Sequence, residues 1–118
     1  MALRAELADG RVETAADAGI ELGGHAFIAP DESFVLVDAL PPGQEERDIY
    51  VAFRSANGGW TEPANLGPEV NTEHAETCPS LSSDGKYLFF SRYDEDGGVS
   101  NIYWISTSVI DDARAQGR

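Results

Sequence analysis

Cysteine, histidine and methionine are scarce in this chain of 118 residues. It contains one cysteine, Cys78, and two histidines, so an intramolecular disulfide and a zinc cluster built on several cysteines are both excluded. Cys78 is four residues after His74, and we interpret this spacing as a shared loop rather than as a nucleophile with its base. Cys78 itself is expected to be a small apolar residue on an inner strand.

Positive charge is also scarce. Eight Lys and Arg stand against 21 Asp and Glu, which gives a formal net charge of −13. Such a surface repels phosphate backbones and anionic headgroups, so we expect no nucleic-acid partner. No stretch approaches the roughly 18 apolar residues of a membrane span, and no apolar leader is visible. The sequence as written therefore predicts no membrane insertion, no export signal and a cytoplasmic location.

Recognisable catalytic patterns are absent as well. The sequence has no glycine-rich phosphate loop, no defined pair of catalytic acids and no Ser/His/Asp arrangement. The acidic segment Asp94–Gly98 lacks the spacing and terminal Glu of an EF-hand, so an ordinary turn is favoured over a calcium site. We therefore predict a protein that is not an enzyme and that holds no metal or cofactor.

The chain does contain an internal repeat. Phe27–Arg54 aligns with Ser80–Thr107 without a gap, at an offset of 53 positions. Identical pairs at this offset are Asp31 and Asp84, Ile49 and Ile102, and Tyr50 and Tyr103. Turn, apolar run, glycine break and Ile-Tyr segment recur in the same order, which indicates a duplicated supersecondary unit.

Each repeat predicts short antiparallel strands. Asp31 and Asp84-Gly85 mark tight turns, in which the Asp carboxylate accepts local backbone N–H bonds. The apolar runs Phe34–Val37 and Tyr87–Ser91 are predicted to be central strands buried on both faces.

Further strands follow in each repeat. They are expected at Asp48–Phe53 and Asn101–Ser106, and the first repeat adds a weaker one at Thr61–Leu66. The predicted fold class is therefore all-β, with antiparallel four-stranded sheets. Trp60 and Trp104 are assigned to core and inter-sheet packing.

The segment Asp48–Ile105 resembles the WD40-like β-propeller repeat of the TolB kind. The matching residues are Pro79, Leu81, Ser82, Asp84, Gly85, Lys86, Asp48-Ile49-Tyr50, Trp60, Pro63, Asn65-Leu66-Gly67 and Asn71-Thr72. The first repeat departs from the pattern, with Glu32 and Ser33 in place of the usual glycine and lysine. The resemblance spans about Gly24–Ser106 and implies propeller blades, a scaffolding role, and a periplasmic or envelope location.

The domain organisation follows from these blades. Residues 1–23 would be a strand or connection completing a neighbouring blade, 24–70 blade 1, and 71–118 an incomplete blade 2 with a polar tail. A weak strand is expected at Ala8–Ala15, with a helix over Met1–Gly19 as the alternative. Because closed propellers need about four to eight blades, we expect either a longer parent chain or a cyclic homo-oligomer, with a trimer favoured over a dimer.

Candidate binding residues lie on loops expected near the propeller channel. They are Glu73, His74, Glu76, Arg92 and Tyr93, with Glu76 alternatively accepting backbone bonds and His74 favoured as an exposed residue over a metal ligand. Asp31, Asp84 and Gly85 are assigned to turns. The predicted function is non-enzymatic recognition of a protein or peptide. The alternatives are a ring that binds sugars or other small ligands, and the propeller portion of a hydrolase or peptidase.

Overall fold

A computed structural model describes residues 4–6, 12–14 and 23–116, and these residues form mostly β-structure. The elements are β1 (Arg4–Glu6), β2 (Val12–Thr14), β3 (Gly23–Ile28), β4 (Phe34–Ala39), β5 (Asp48–Phe53), β6 (Ala64–Asn65), β7 (Glu76–Leu81), β8 (Tyr87–Arg92), a 3₁₀ helix (Asp96–Gly98), β9 (Asn101–Ser106) and α1 (Ser108–Ala115). All strand pairs are antiparallel. The prediction of a fold built mainly from antiparallel strands is therefore confirmed.

The strands form one four-stranded and one three-stranded sheet, plus a small hairpin. The first sheet has the order β3-β4-β5-β6, the second has the order β7-β8-β9, and β1 pairs with β2. β6 lies within the predicted weak strand at Thr61–Leu66 but has only two residues. β9 forms the edge of the second sheet, and no described strand pairs with its outer side.

The repeat in the sequence recurs in the strand pairing. The Cα pair Phe34–Phe53, at one end of the β4–β5 ladder, corresponds at the offset of 53 to the pair Tyr87–Ser106 of the β8–β9 ladder. The pair Ala39–Asp48, at the other end, corresponds to the pair Arg92–Asn101. The register between β3 and β4 shifts between Gly23 and Ala26, and that between β7 and β8 shifts between Thr77 and Ser80. The two sheets are thus built to the same plan, including a bulge in the first strand of each.

The predicted turn carboxylates bond to their own turns. Asp31 Oδ1 accepts the backbone N–H of Ser33 at 3.0 Å, and Asp84 Oδ1 accepts that of Lys86 at 3.0 Å. The Ser33 hydroxyl bond lowers the pKa of Asp31, and the Ser82 hydroxyl bond lowers the pKa of Asp84. Both aspartates favour the tight reversal that joins the first two strands of a sheet.

The main core lies between the two sheets. Leu36, Val51 and Phe53 on one face of the first sheet cluster with Leu88 and Phe90 of the second. The helix α1, which the sequence suggested as part of a polar tail, adds Val109, Ile110 and Ala113 to this core. The tail is therefore amphipathic, because its apolar positions recur at helical spacing.

The other face of the first sheet is also buried. Val35, Val37, Ala39 and Ala52 form a second cluster, against which Tyr50 and Trp60 are half-buried. The run Phe34–Val37 is accordingly covered on both sides, as its near-continuous apolar sequence predicts.

The second sheet exposes its outer face. Tyr87, Ile102 and Trp104 are exposed there, Ile102 by 74% and Trp104 by 63%, and the Tyr87 and Trp104 rings meet edge to face at 5.1 Å. The prediction that Tyr87–Ser91 is buried on both faces is wrong, since only Leu88 and Phe90 are enclosed. An apolar run indicates burial only where something lies against it, and within the described residues this face is open to solvent.

The N-terminal prediction is tested only in part. β2 falls within the expected strand Ala8–Ala15 and pairs with β1 rather than with either larger sheet. The other residues of Ala8–Ala15 lie outside the described residues. Among the described helices, none has the length and apolar character needed to cross a membrane.

Candidate functional site

A fully buried carboxylate joins three strands at one end of the two sheets. Asp38, near the end of β4, is enclosed. Its Oδ1 accepts the backbone N–H of His25 at 3.1 Å and Nη1 of Arg47 at 3.2 Å. Its Oδ2 accepts the backbone N–H of Cys78 at 2.9 Å and lies 3.0 Å from Nδ1 of His25. Asp38 thus ties the bulges of β3 and β7 together, and its charge is balanced by one arginine.

His25 and Cys78 occupy the two bulges and reach solvent. The His25 side chain is 66% exposed and Cys78 is exposed. They correspond at the repeat offset of 53, and β7 packs beside β3. One ligand atom from each of His25, Asp38 and Cys78 lies within 4.8 Å of the others. The expectation of an apolar, inner Cys78 is therefore wrong, because its bulge turns the side chain outward.

The backbone around this cluster is closely fitted. Cys78 has φ of 56°, an unusual value for a residue with a side chain. A Cβ added at Gly24 would lie closer to Asp38 Oδ1 than real Cβ atoms come to another heavy atom, and it would lie 3.0 Å from Arg47 Nη1. Only glycine at position 24 therefore lets β3 approach the buried carboxylate this closely.

The geometry fixes what the cluster offers chemically. Because a carboxylate only accepts hydrogen bonds, His25 Nδ1 carries the proton that it shares with Asp38. The Cys78 thiol lies within 4.8 Å of a ring nitrogen of His25 and of a carboxylate oxygen of Asp38. Imidazole, carboxylate and thiol together can bind a transition metal or exchange protons.

The five predicted binding residues separate into two groups. Glu76 is fully buried, and Arg92 Nε donates to its Oε2 at 2.9 Å. Glu73 and Tyr93 are exposed and His74 is half-buried. The Tyr93 backbone N–H donates to the carbonyl of Ala75 at 3.0 Å, which keeps Tyr93 beside the loop that carries Glu73 and His74. The predicted surface is thus reduced to three residues, while Glu76 and Arg92 bond to each other.

Glu76 satisfies the alternative role expected for it, that of accepting backbone bonds. Its Oε1 accepts the N–H of Thr72 at 3.1 Å, and its Oε2 accepts the Thr72 hydroxyl at 2.6 Å. Arg92 also donates to the carbonyl of Val70 at 2.9 Å and stacks over the ring of Tyr103 at 4.5 Å. These contacts fix the loop between the two sheets.

The acidic segment after β8 uses its carboxylates internally. Asp94 accepts the Tyr103 hydroxyl and Asn101 Nδ2, and Glu95 accepts Asn101 Nδ2 at 2.6 Å. The Tyr103 bond, with a smaller effect from Asn101, lowers the pKa of Asp94, and the same bond raises the pKa of Tyr103. This agrees with an ordinary turn closed against β9.

A cleft of about 400 Å³ lies at the opposite end of the sheets. It is bounded by the two repeat turns, including Asp31 and Gly85, and by Ile110 and Asp111 of α1. Its two carboxylates do not converge with a base or nucleophile among its lining residues, so the end with Asp38 is the better candidate site.

Sequence reasoning missed His25 and Asp38, although one signal was present. His25 and Cys78 are separated by the repeat offset, and equivalent positions on neighbouring repeats lie side by side. These two positions differ in residue type, so identical residues in the two repeats do not reveal them. No family model, curated protein or solved structure matches this chain, so the functional proposals rest on the arrangement of its residues.

Proposed function

We propose that this chain is a non-enzymatic recognition and scaffold module, built from two propeller-type blades, that associates with further blades through the outer face of its second sheet. The observation that carries this proposal is the exposed apolar surface formed by Tyr87, Ile102 and Trp104. We call it the outer face. Contiguous exposed aromatic surface of this kind is typical of protein interaction sites.

The repeat supports this use of the outer face. At the offset of 53, Phe89 and Trp104 correspond to Leu36 and Val51, which are fully buried against the second sheet. The first sheet therefore has a neighbour on this side, whereas the second sheet has none among the described residues. Stacking another sheet on the outer face would repeat the interface that already exists within the chain.

The energetics favour covering this face. Burying a large apolar side chain contributes about 1.5–3 kcal/mol, so enclosing Tyr87, Ile102 and Trp104 would add appreciably to a domain of modest stability. In addition, no described strand pairs with the outer edge of β9, whereas β6 occupies the corresponding edge of the first sheet. Both features are consistent with the missing fourth strand expected in the second blade.

The proposed neighbour is a second copy of this chain. Three copies would give six blades in a cyclic ring. In that ring the residues that now cover Val35 and Val37 must be displaced, since this is the face that would meet the outer face of the next copy. A two-fold dimer through two outer faces leaves those residues in place and is the competing assembly.

The proposed recognition surface consists of the loop that carries Glu73 and His74, together with Tyr93 beside it. Its carboxylate and aromatic ring, together with the net charge of −13, favour a protein or peptide partner with basic side chains. The buried pair Glu76 and Arg92 would hold this loop in position.

The test is the mass in solution, measured by multi-angle light scattering on the wild type and three variants. We expect the wild type at a multiple of the 12.7 kDa chain mass, with three copies favoured over two. Trp104→Asp and Ile102→Asp should shift it to monomer, because each places a charge in the interface. Ala56→Asp adds the same charge on an exposed hairpin and should not change the mass. A wild type that is monomeric at millimolar concentration refutes the proposal.

A further inference from the structure

We propose that His25, Asp38 and Cys78 form a binding site for a divalent transition metal ion, with Zn²⁺ as the best fit. The site lies where the bulges of β3 and β7 meet, and all three ligands come from one chain. The inference goes beyond the recognition function and does not depend on assembly.

The ligand atoms are close to a metal-binding arrangement. They lie within 4.8 Å of one another, and His25 Nδ1 and Asp38 Oδ2 are 3.0 Å apart. Two ligands of one tetrahedral zinc ion, at bond lengths of about 2.0–2.1 Å, are separated by roughly 3.3 Å. An ion can therefore replace the proton between His25 and Asp38 with small side-chain movements, and Cys78 can complete a third position.

The ligand types select the metal. A thiolate, an imidazole and a carboxylate suit Zn²⁺ and Co²⁺, whereas Ca²⁺ and Mg²⁺ prefer sites built wholly from oxygen. Three protein ligands leave a fourth tetrahedral position for water or another ligand.

One of the three ligands is buried and the other two are exposed to solvent. Asp38 is enclosed and held by Arg47 and by the backbone N–H groups of His25 and Cys78, so one ligand is already fixed. His25 and Cys78 are exposed, so an ion can reach the site from solvent. The left-handed φ of Cys78 is the kind of backbone strain that proteins tolerate at functional positions.

The charge balance favours a cation once the thiol is ionised. Without metal, Arg47 offsets the charge of Asp38. Binding removes one proton from Cys78 and leaves His25 neutral, with its proton moved from Nδ1 to Nε2. The thiolate then supplies a second negative charge beside the ion.

The test is a titration of the full-length protein with Co²⁺, followed by absorption spectroscopy. We expect one ion per chain, the intense visible bands of tetrahedral cobalt and a near-ultraviolet thiolate charge-transfer band. Added Zn²⁺ should displace the cobalt, and Ca²⁺ or Mg²⁺ should not. The Trp104→Asp variant should bind equally well, which separates this site from the assembly.

Three variants assign the ligands. Cys78→Ser should remove the charge-transfer band and keep the fold, because the bond to Asp38 comes from the backbone N–H. His25→Gln should weaken Co²⁺ binding at least tenfold, whereas His74→Gln, at the other histidine of the chain, should leave it unchanged. Circular dichroism checks the fold of each variant. Weak octahedral bands that persist in Cys78→Ser and His25→Gln, or no cobalt binding at all, would overturn the proposal.

Discussion

Glu76 of β7 and Arg92 of β8 are cross-strand partners, and Arg92 Nε donates to Glu76 Oε2 at 2.9 Å. The carboxylate is fully enclosed and the arginine side chain is 15% exposed. The two Thr72 bonds add a donor to each oxygen of Glu76, so both carboxylate oxygens are hydrogen-bonded. The pair therefore holds the loop between the sheets to the second sheet, and each partner depends on the other for compensation of its charge.

We expect Glu76→Gln to lower the free energy of unfolding by about 3–5 kcal/mol, the usual cost of removing one partner of a buried ion pair. A glutamine amide group would also face the donors of Thr72 and Arg92. Glu73→Gln, three residues earlier and exposed, is the matched control and should change stability by less than about 0.5 kcal/mol. Urea denaturation measures both. A Glu76→Gln variant as stable as the control would show that the pair contributes little.

Substitutions at equivalent positions of the two repeat turns should have opposite effects on stability. Glu32 and Gly85 correspond at the offset of 53 and have φ of 63° and 74°. A left-handed backbone destabilises the folded state by about 1–2 kcal/mol when the residue has a side chain. Glycine avoids this strain but loses more backbone entropy on folding, which costs about 0.5–1 kcal/mol. Glu32→Gly should therefore stabilise the protein by about 0.5–1 kcal/mol.

Gly85→Ala should destabilise it by about 0.5–1 kcal/mol, which is the strain of about 1–2 kcal/mol less the backbone entropy of about 0.5–1 kcal/mol that alanine recovers. No steric clash adds to this, because a Cβ there would meet nothing within 4 Å. Gly59→Ala is the control for backbone strain, since Gly59 lies in an exposed hairpin without a positive φ and its Cβ would meet only the side chains of Asn57 at 3.2 Å and Ser55 at 3.6 Å. Thermal unfolding of the three variants checks the set. A destabilised Glu32→Gly would mean that the contacts of the Glu32 side chain outweigh its backbone strain.

Local signals in the sequence predicted much of the fold. Turn residues such as Asp84 and apolar runs such as Phe34–Val37 define strands through interactions between residues that are close in the chain. The exposure of Trp104 could not be predicted, because a side chain is buried only if some surface lies against it. The helix α1 was not predicted, because the short segment Ser108–Ala115 contains many polar residues. Its amphipathic character is visible only in the helical spacing of its apolar residues.

The candidate site was harder to predict than the fold. Asp38 gains its role from bonds to His25, Arg47 and Cys78, and the last of these is 40 positions away. Such contacts depend on how two sheets pack and leave no local pattern. For Glu76 and Arg92 the sequence could not separate an internal ion pair from a binding surface.

Asp48, at the start of β5, makes the folded protein sensitive to pH. Burial raises the pKa of its carboxyl above the ordinary value of 3.8, partly opposed by the Asn65 side-chain bond and assisted by the nearby Glu76. The folded state therefore binds more protons than the unfolded state between 3.8 and the raised pKa. Stability from this group is present at low pH and is lost as the pH rises through that interval.

Asp48→Asn should therefore gain stability relative to the wild type as the pH is raised from about 4 to 7, because the variant has no charge to desolvate. Asp31→Asn is the control of opposite sign. The Ser33 bonds lower the pKa of Asp31, so its ionised form stabilises the fold above 3.8 and that contribution is lost on acidification. Asp31→Asn should accordingly lose stability relative to the wild type as the pH rises from about 2 to 4, with little further change from about 4 to 7. Thermal unfolding at half-unit pH intervals measures both differences. If the Asp48→Asn difference stayed constant with pH, or followed that of Asp31→Asn, burial would not control the ionisation of Asp48.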